Sequence, residues 1–353
     1  MTDVEISPES WEYRLVAAVV FAVDRRAAGT AAAPRTRWTG LLLAETDPDL
    51  LGTAGDDGSM SVSIDNVLEP LRKARDLDRP LTGGEAMELR DAIGTLAHEA
   101  AHLLSEFGDE TAPDAYPYDS AAEADNEGRT EYWTHDNLDG IIREVLPIAG
   151  LDRVEADVLS QPSLDSYPAY TPAARLLDQA LAERSGLTSA VVAKKLMLAH
   201  DAQRWNVAVD LVIDARLAKP GLMPEAHRAE VRKQLIAPLR DALSGLEAIQ
   251  SDDLLGEDEK SEASTKAAWA AIAGLDEELE RIEDDYSSKL VQRTELSPEL
   301  KRVQEVTGGQ APAVGATGRS VSGTDRAPAA PDNSSRGQQH PRRPAGPHTP
   351  GLG

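Results

Sequence analysis

Between Leu81 and Phe107 the apolar residues Leu89, Ile93, Leu96, Ala100, Leu103 and Phe107 recur at spacings of four and three. That is the period of a helix with one buried stripe. Thr82, with Glu85 three residues on, supplies the capping-box pattern at its start. Asp91, Thr95, His98, His102 and Glu106 fall on the other side. The rest of the fold has to be built against this helix, and its two histidines point away from the apolar stripe.

Those histidines belong to His98-Glu99-Ala100-Ala101-His102, an H-E-x-x-H motif. Positions i and i+4 of a helix lie one turn apart on one face, so two imidazoles can grip a single metal ion while Glu99 handles a water molecule beside it. A hydrolytic zinc site usually takes three protein ligands and leaves the fourth position to water. No His-x-x-Gly-x-x-His continuation follows His102, and the chain has no cysteine, so the third ligand has to be a nitrogen or oxygen donor from elsewhere. After a loop rich in Asp, Pro and Tyr from Gly108 to about Ser120, the segment Ala121 to Val145 reads as a second helix. On it Glu127 and Glu131 share a face, so that one can bind a metal while the other acts one turn away.

Together these segments resemble the gluzincin branch of the zincin metallopeptidases, in which a glutamate on a helix downstream of H-E-x-x-H completes the coordination of zinc. The thermolysin-like form of that second segment is Asn-Glu-x-x-Ser-Asp, and the aminopeptidase form is Asn-Glu-Gly. Here the chain reads Asn126-Glu127-Gly128-Arg129-Thr130-Glu131. The resemblance covers Leu81 to Val145. It implies zinc as cofactor, His98, His102 and Glu127 as its ligands, and Glu99 as the general base that activates a zinc-bound water against a peptide or protein substrate. It also implies that Glu131 accepts a hydrogen bond from the free ring nitrogen of a ligand histidine. Glu131 stands where the thermolysin-like form has aspartate, and it stays open as an alternative third ligand. The developing oxyanion needs a further donor. Tyr116, Tyr118, Tyr132, His135, Tyr167, Tyr170 and His200 are candidates, and Tyr167 or Tyr170 is expected to serve, because both follow the second helix on a proline-broken loop. Trp205-Asn206-Val207-Ala208-Val209-Asp210 resembles the Trp-Asn-x-Ala-x-Asp signature of VWA-associated metallopeptidases, but lies about a hundred residues beyond the motif it should follow closely. Read from its own residues it is a helix with Trp205, Val209, Val212 and Ile213 packed inward, and Asp210 or Asp214 near the cleft would favour the other view.

Trp11 to Val23, Trp38 to Glu45 and Ser59 to Ile64 read as short strands. Nearly everything after Leu81 reads as helix, with breaks near Gly108 to Asp119, Ser160 to Pro168 and Lys219 to Pro224. The expected fold class is α+β and predominantly α: zincin-like, with a small N-terminal sheet over the active-site helix, followed by a helical subdomain. Residues 1–80 form the strand-rich part and 81–250 the helical part of one catalytic domain in this expectation. Residues 251–305 form an acidic helical or coiled-coil-like segment, with thirteen Asp or Glu against three Lys or Arg between Ser251 and Asp285. Residues 306–353, a Gly-, Pro- and Arg-containing tail almost without large apolar residues, are expected to be disordered. Within 265–290 the residues Ala268, Ile272, Leu275, Leu279, Ile282 and Tyr286 again alternate by four and three, which suits either docking on the protein's own body or oligomerisation.

A formal charge of −25 argues against nucleic acid as a partner, since nonspecific binding needs basic surface. The apolar run Leu15 to Val23 is too short to span a membrane, and the acidic start lacks the pattern of a secretory signal. A cytoplasmic protein without a membrane partner is expected, with signal-independent export left open. Two other functions fit the same residues: a non-catalytic zincin-like scaffold or partner-binding helical protein, and a zinc hydrolase acting on a non-peptide amide.

Overall fold

The first apolar run of the chain folds as a helix, α1 (Trp11–Ala28), in the computed structural model, which describes residues 4–28, 35–47, 50–218 and 221–306, with side chains as far as Val291. The strand expected over Trp11 to Val23 is thereby corrected. Leu15, Val16, Val19, Val20, Val23 and Ala27 are all buried, and their spacings of one, three and four wrap a helical stripe instead of alternating. Ser10 starts the helix, its hydroxyl oxygen accepting the Tyr13 N–H at 3.1 Å.

Four short strands, β1 (Val4–Glu5), β2 (Leu42–Glu45), β3 (Gly52–Ala54) and β4 (Met60–Ser63), form one sheet in the order β1-β2-β4-β3. The inner pair β2 and β4 is parallel, and both outer pairs are antiparallel. The strand expected from Trp38 begins only at Leu42, while the one expected over Ser59 to Ile64 spans Met60 to Ser63. Leu42, Ala44, Met60 and Val62 point to one face and are buried there with the apolar side of α1. β3 is an edge strand. The Ser63 N–H donates to the Leu51 carbonyl at 2.9 Å and the Gly55 N–H to the Ser59 carbonyl at 2.8 Å, so the backbone groups of Gly52 and Ala54 turn to the open side.

Beyond α2 (Glu69–Asp76) all regular structure is helical. α3 (Gly83–His102) opens with the expected capping box: Thr82 accepts the Glu85 N–H through its hydroxyl, and the Glu85 carboxylate accepts the Thr82 N–H at 2.9 Å. It ends at His102, short of Phe107, where the Leu104 N–H bonds the Ala101 carbonyl at 3.1 Å in a tightened last turn; beyond it Arg37 bonds the Leu103 carbonyl at 2.8 Å through its backbone N–H and the Ser105 carbonyl at 2.6 Å through its side chain. α4 (Ser120–Val145) follows, then α5 (Glu155–Leu159), α6 (Thr171–Ser185), α7 (Ser189–Met197), α8 (Arg204–Ile213), α9 (Arg228–Leu243), α10 (Leu246–Gln250) and α11 (Glu257–Val306). The fold is thus α+β and mainly α, with a small mixed sheet. Among the described residues no helix is long and apolar enough to cross a membrane.

Two apolar cores result. The first joins α1, the sheet, α2, α3 and the second half of α4; the second is built mostly by α6 to α11. α4 belongs to both, placing Leu138, Ile141, Ile142 and Val145 in the first and Ala121 and Ala124 in the second. Trp205, Val209, Val212 and Ile213 pack into the second core, while Asp210 and Asp214 pair with Arg228 and Arg232. Ala268, Ile272, Leu275, Leu279 and Ile282 of α11 are buried in the same core, so this stripe docks on the protein's own body. The chain divides into two compact units, one running to Tyr286 and one from Ser287 on. Of the second only the continuation of α11 to Val306 is described, and the tail expected to be disordered lies outside the described residues from 307 onward.

Leu275 is fully buried on α11. Leu275→Ala is expected to destabilise the first unit by roughly 2–5 kcal/mol, measured by urea unfolding, and an unchanged midpoint would mean that the stripe does not pack there.

Candidate metal centre

Every residue of α4 from Ala124 to Thr134 is buried. A helix buried on all sides is normally apolar, yet this stretch contains Asp125, Asn126, Glu127, Arg129, Thr130 and Glu131. Each charge therefore needs a partner. Arg129 donates to Asp125 at 2.6 Å and to Asp178 of α6, which also accepts the Tyr132 hydroxyl. This network ties α4 to α6 and turns Glu127 and Glu131 toward α3. Gly128 permits the approach, since a Cβ there would lie 2.6 Å from the Tyr170 carbonyl oxygen.

On the facing helix, His98 Nε2 and His102 Nε2 stand 3.0 Å apart, and Glu127 Oε2 lies 3.2 Å from each. The centre of a tetrahedron built on that triangle is about 1.9 Å from each atom, close to the ~2.0–2.1 Å of zinc bonds to imidazole and carboxylate. The three side chains are buried, and the group they form could hold a metal ion. Two ring nitrogens and a carboxylate oxygen converging on one point are a donor set for a divalent transition metal.

Glu131 takes the opposite side of His98. Its Oε2 lies 2.7 Å from His98 Nδ1, while Oε1 accepts the Ser166 N–H at 2.9 Å and lies 3.2 Å from His135 Nε2. Burial by itself lowers the pKa of His98, but Glu127 and Glu131 override it and push the imidazole up to about 10. Burial by itself raises Glu131, but His135 and His98 hold it down at about 2. Two carboxylates thus call for positive charge at His98. His102 is held less tightly. Arg204 of α8 donates to Asn126 Oδ1 at 2.7 Å, which turns the amide nitrogen toward the Tyr118 hydroxyl at 3.2 Å and His102 Nδ1 at 3.4 Å.

Glu99 opens onto a cavity of about 1060 Å³ between β3, α3, α4 and the loop 163–167. Among the described residues none pairs with its carboxylate. β3 passes directly over it: a Cβ on Gly52 would lie 2.9 Å from Glu99 Cγ and 3.2 Å from Thr95 Cγ2. Tyr167 lines the cavity and stacks on His98, ring centroids 5.4 Å apart and planes 13° from parallel. Tyr170 stacks behind Tyr167 at 5.8 Å, is 2% exposed, and burial raises its pKa. Of the two expected oxyanion donors, the structure brings Tyr167 to the cavity wall and keeps Tyr170 behind it. The loop carrying Tyr167 is held by Asp165, which accepts the Tyr167 N–H at 2.9 Å and the Thr171 hydroxyl at 2.8 Å. Gln250 of α10 holds it from behind, bonding the Ser166 carbonyl at 2.9 Å and the Ala169 N–H at 3.0 Å.

Asp91 also lines the cavity, two turns before His98. Burial raises its pKa to about 6; Arg90 opposes this and Glu131 adds to it, with His135 and the Leu164 N–H also in reach. A carboxyl raised in the folded state contributes stability below the ordinary carboxylate range, and that contribution is lost as pH climbs through about 6. Asp91→Asn should therefore stabilise the protein at neutral pH and change little below pH ~4, as read by thermal melts across pH. Gly128→Ala should cost about 2–4 kcal/mol, because α4 and the Tyr170 carbonyl would have to part; an unaltered melting temperature would contradict that close approach. Compared with known proteins, the chain matches no family model, no curated protein and no solved structure.

Proposed function

We propose that the protein is a zinc metallopeptidase of zincin type, gluzincin branch, which hydrolyses peptide bonds in a peptide or protein substrate. What carries this reading is the triangle of His98, His102 and Glu127 with the unpaired Glu99 carboxylate beside it, at the wall of a cavity of about 1060 Å³. Zinc in that triangle supplies a Lewis acid that polarises a carbonyl and brings the pKa of a water down toward ~7. Glu99 takes the proton of the attacking water and passes it to the leaving amine. Glu131, hydrogen-bonded to His98 Nδ1, keeps the Nε2 lone pair of that ring facing the triangle. Tyr167 offers its hydroxyl to the developing oxyanion, and Tyr170 holds the Tyr167 ring from behind. The outward backbone groups of Gly52 and Ala54 let an extended peptide add to the sheet as a further strand, and the missing side chain of Gly52 lets it lie close to Glu99. Charge supports the same reading, since the buried guanidiniums are already engaged, Arg129 with Asp125 and Asp178, Arg90 with Asp139 and Arg204 with Asp201, while Glu127 and Glu131 face imidazoles, which are neutral when they bind a metal, so that negative charge is in excess there. A divalent cation offsets the excess.

Metal analysis of the full chain is expected to find one zinc per molecule after loading, lost in His98→Ala and kept in Glu99→Gln. Hydrolysis of a peptide library should fall by about 10²–10⁴ in Glu99→Gln. A protein that cannot be loaded with zinc ends this proposal. One that binds zinc and cuts nothing in the library is a scaffold instead.

A further inference from the structure

We infer that the part of the cavity between α3 and α4 is a subsite for a cationic group of the substrate, with Asp91 as its counter-charge and Thr134 as a hydrogen-bonding partner. This rests on the peptidase reading for the place of the cleaved bond.

Eight carboxylates and two permanent cations line the cavity. Both cations are already engaged. Lys73 lies 3.3 Å from Glu88 and 3.6 Å from Glu85, and Arg90 donates to Asp139 at 2.7 Å and to Ser163 at 3.0 Å. Asp91 forms no salt bridge among the described residues; it accepts a backbone hydrogen bond from Leu164, and Arg90 and His135 are the nearby cationic or ionisable groups. Its neighbours across the cavity, Glu131 and Asp165, are acidic too, but each is satisfied by hydrogen bonds from the protein.

An independent observation points to the same place. Thr134 of α4 lines the cavity, is 2% exposed, and its hydroxyl oxygen has no hydrogen-bond partner among the described residues. A buried hydroxyl left without a partner is costly, so a polar group of a ligand is the natural complement. Gly94 lies between Asp91 and Thr95 on the same wall and carries no side chain to fill the space. The carboxylates here do not converge on one point as the His98 group does, which favours an organic cation over a second metal ion.

Distance defines the ligand further. Asp91 precedes His98 by seven residues, about 10 Å along the helix axis at ~1.5 Å per residue. Extended peptide advances ~3.3 Å per residue, so a lysine or arginine one or two residues from the cleaved bond reaches Asp91, and so does a free amino terminus about three residues away.

Hexapeptides carrying arginine, or its neutral isostere citrulline, at each position, with free or acetylated amino termini, separate these sources. They would be assayed on the full-length protein for hydrolysis and, with Glu99→Gln, for equilibrium binding. The expected result is an arginine-over-citrulline preference of about tenfold or more at one position next to the cleaved bond, or an equal loss on acetylation if the amino terminus is what binds. In Asp91→Asn, and more weakly in Thr134→Val, that ratio should fall toward one. A wild-type ratio near one for both comparisons overturns the subsite, as does a preference that survives Asp91→Asn. Absence of all hydrolysis defeats the peptidase reading alone, because the binding ratios still decide the subsite.

Discussion

Charge cannot leave water without a partner, and between Ala124 and Thr134 helix α4 takes three carboxylates and a guanidinium out of water within eleven buried residues. Everything around this stretch answers that demand. Asp178 of α6 meets Arg129 and Tyr132, which sets how α4 is rotated. The histidines of α3 meet Glu127 and Glu131, and His135 and the Ser166 N–H complete Glu131. The loop 163–170 is drawn onto the site by the same carboxylate, bringing Tyr167 against His98. Removing Arg129 would leave Asp125 and Asp178 buried without their cation, a loss of about 3–5 kcal/mol.

How much of this could be read from the chain depended on whether the partners are local. α3 and α4 are long, strongly periodic helices with side-chain caps, and His98/His102 and Glu127/Glu131 are i,i+4 pairs. Their positions were legible for that reason. The segment Trp11 to Val23 reads as a strand because Leu15 to Val23 is an unbroken apolar run with four valines and no alternation to separate strand from helix. The cue that decides it, Ser10 as a cap, is a single residue. β1 and β3, two and three residues long, carry no periodicity at all. The Arg129 to Asp178 contact and the clasp of Gln250 on the loop join residues 49 and 81 or more positions apart, and only the folded chain brings them together. The stripe on α11 showed its own periodicity but not its partner, which is the second core.

The two histidines of the candidate metal centre are not equivalent, and the difference follows from which helix serves each. His98 is gripped on its far nitrogen by Glu131, an ionised carboxylate at 2.7 Å, on a helix that cannot rotate without breaking the Arg129 network. His102 meets an amide at 3.4 Å whose orientation is dictated by Arg204 from α8. One side of the site is therefore fixed by charge, while on the other the Arg204 to Asn126 contact leaves a donor nitrogen beside His102 Nδ1, which cannot accept from it when Nε2 faces a metal. The rigid side also faces the cavity, with Tyr167, Glu131, Thr134 and Asp91 in its wall.

In the proposed metallopeptidase, that arrangement would separate two tasks that hydrolysis places on one small volume. Closing the site around its ligands requires α4 to be buried and its charges paired, which removes them from contact with a substrate. Admitting a peptide requires an open wall, and β3 provides it on the far side of Glu99, where Gly52 leaves backbone groups and space instead of a side chain. Between the closed wall and the open one, Asp91 is, like Glu99, a cavity carboxylate that forms no salt bridge among the described residues, while Lys73 and Arg90 are engaged with other groups. In the proposed peptidase, a wall built this way would recognise charge at a distance from the reacting bond, with selectivity set from α3 two turns before His98.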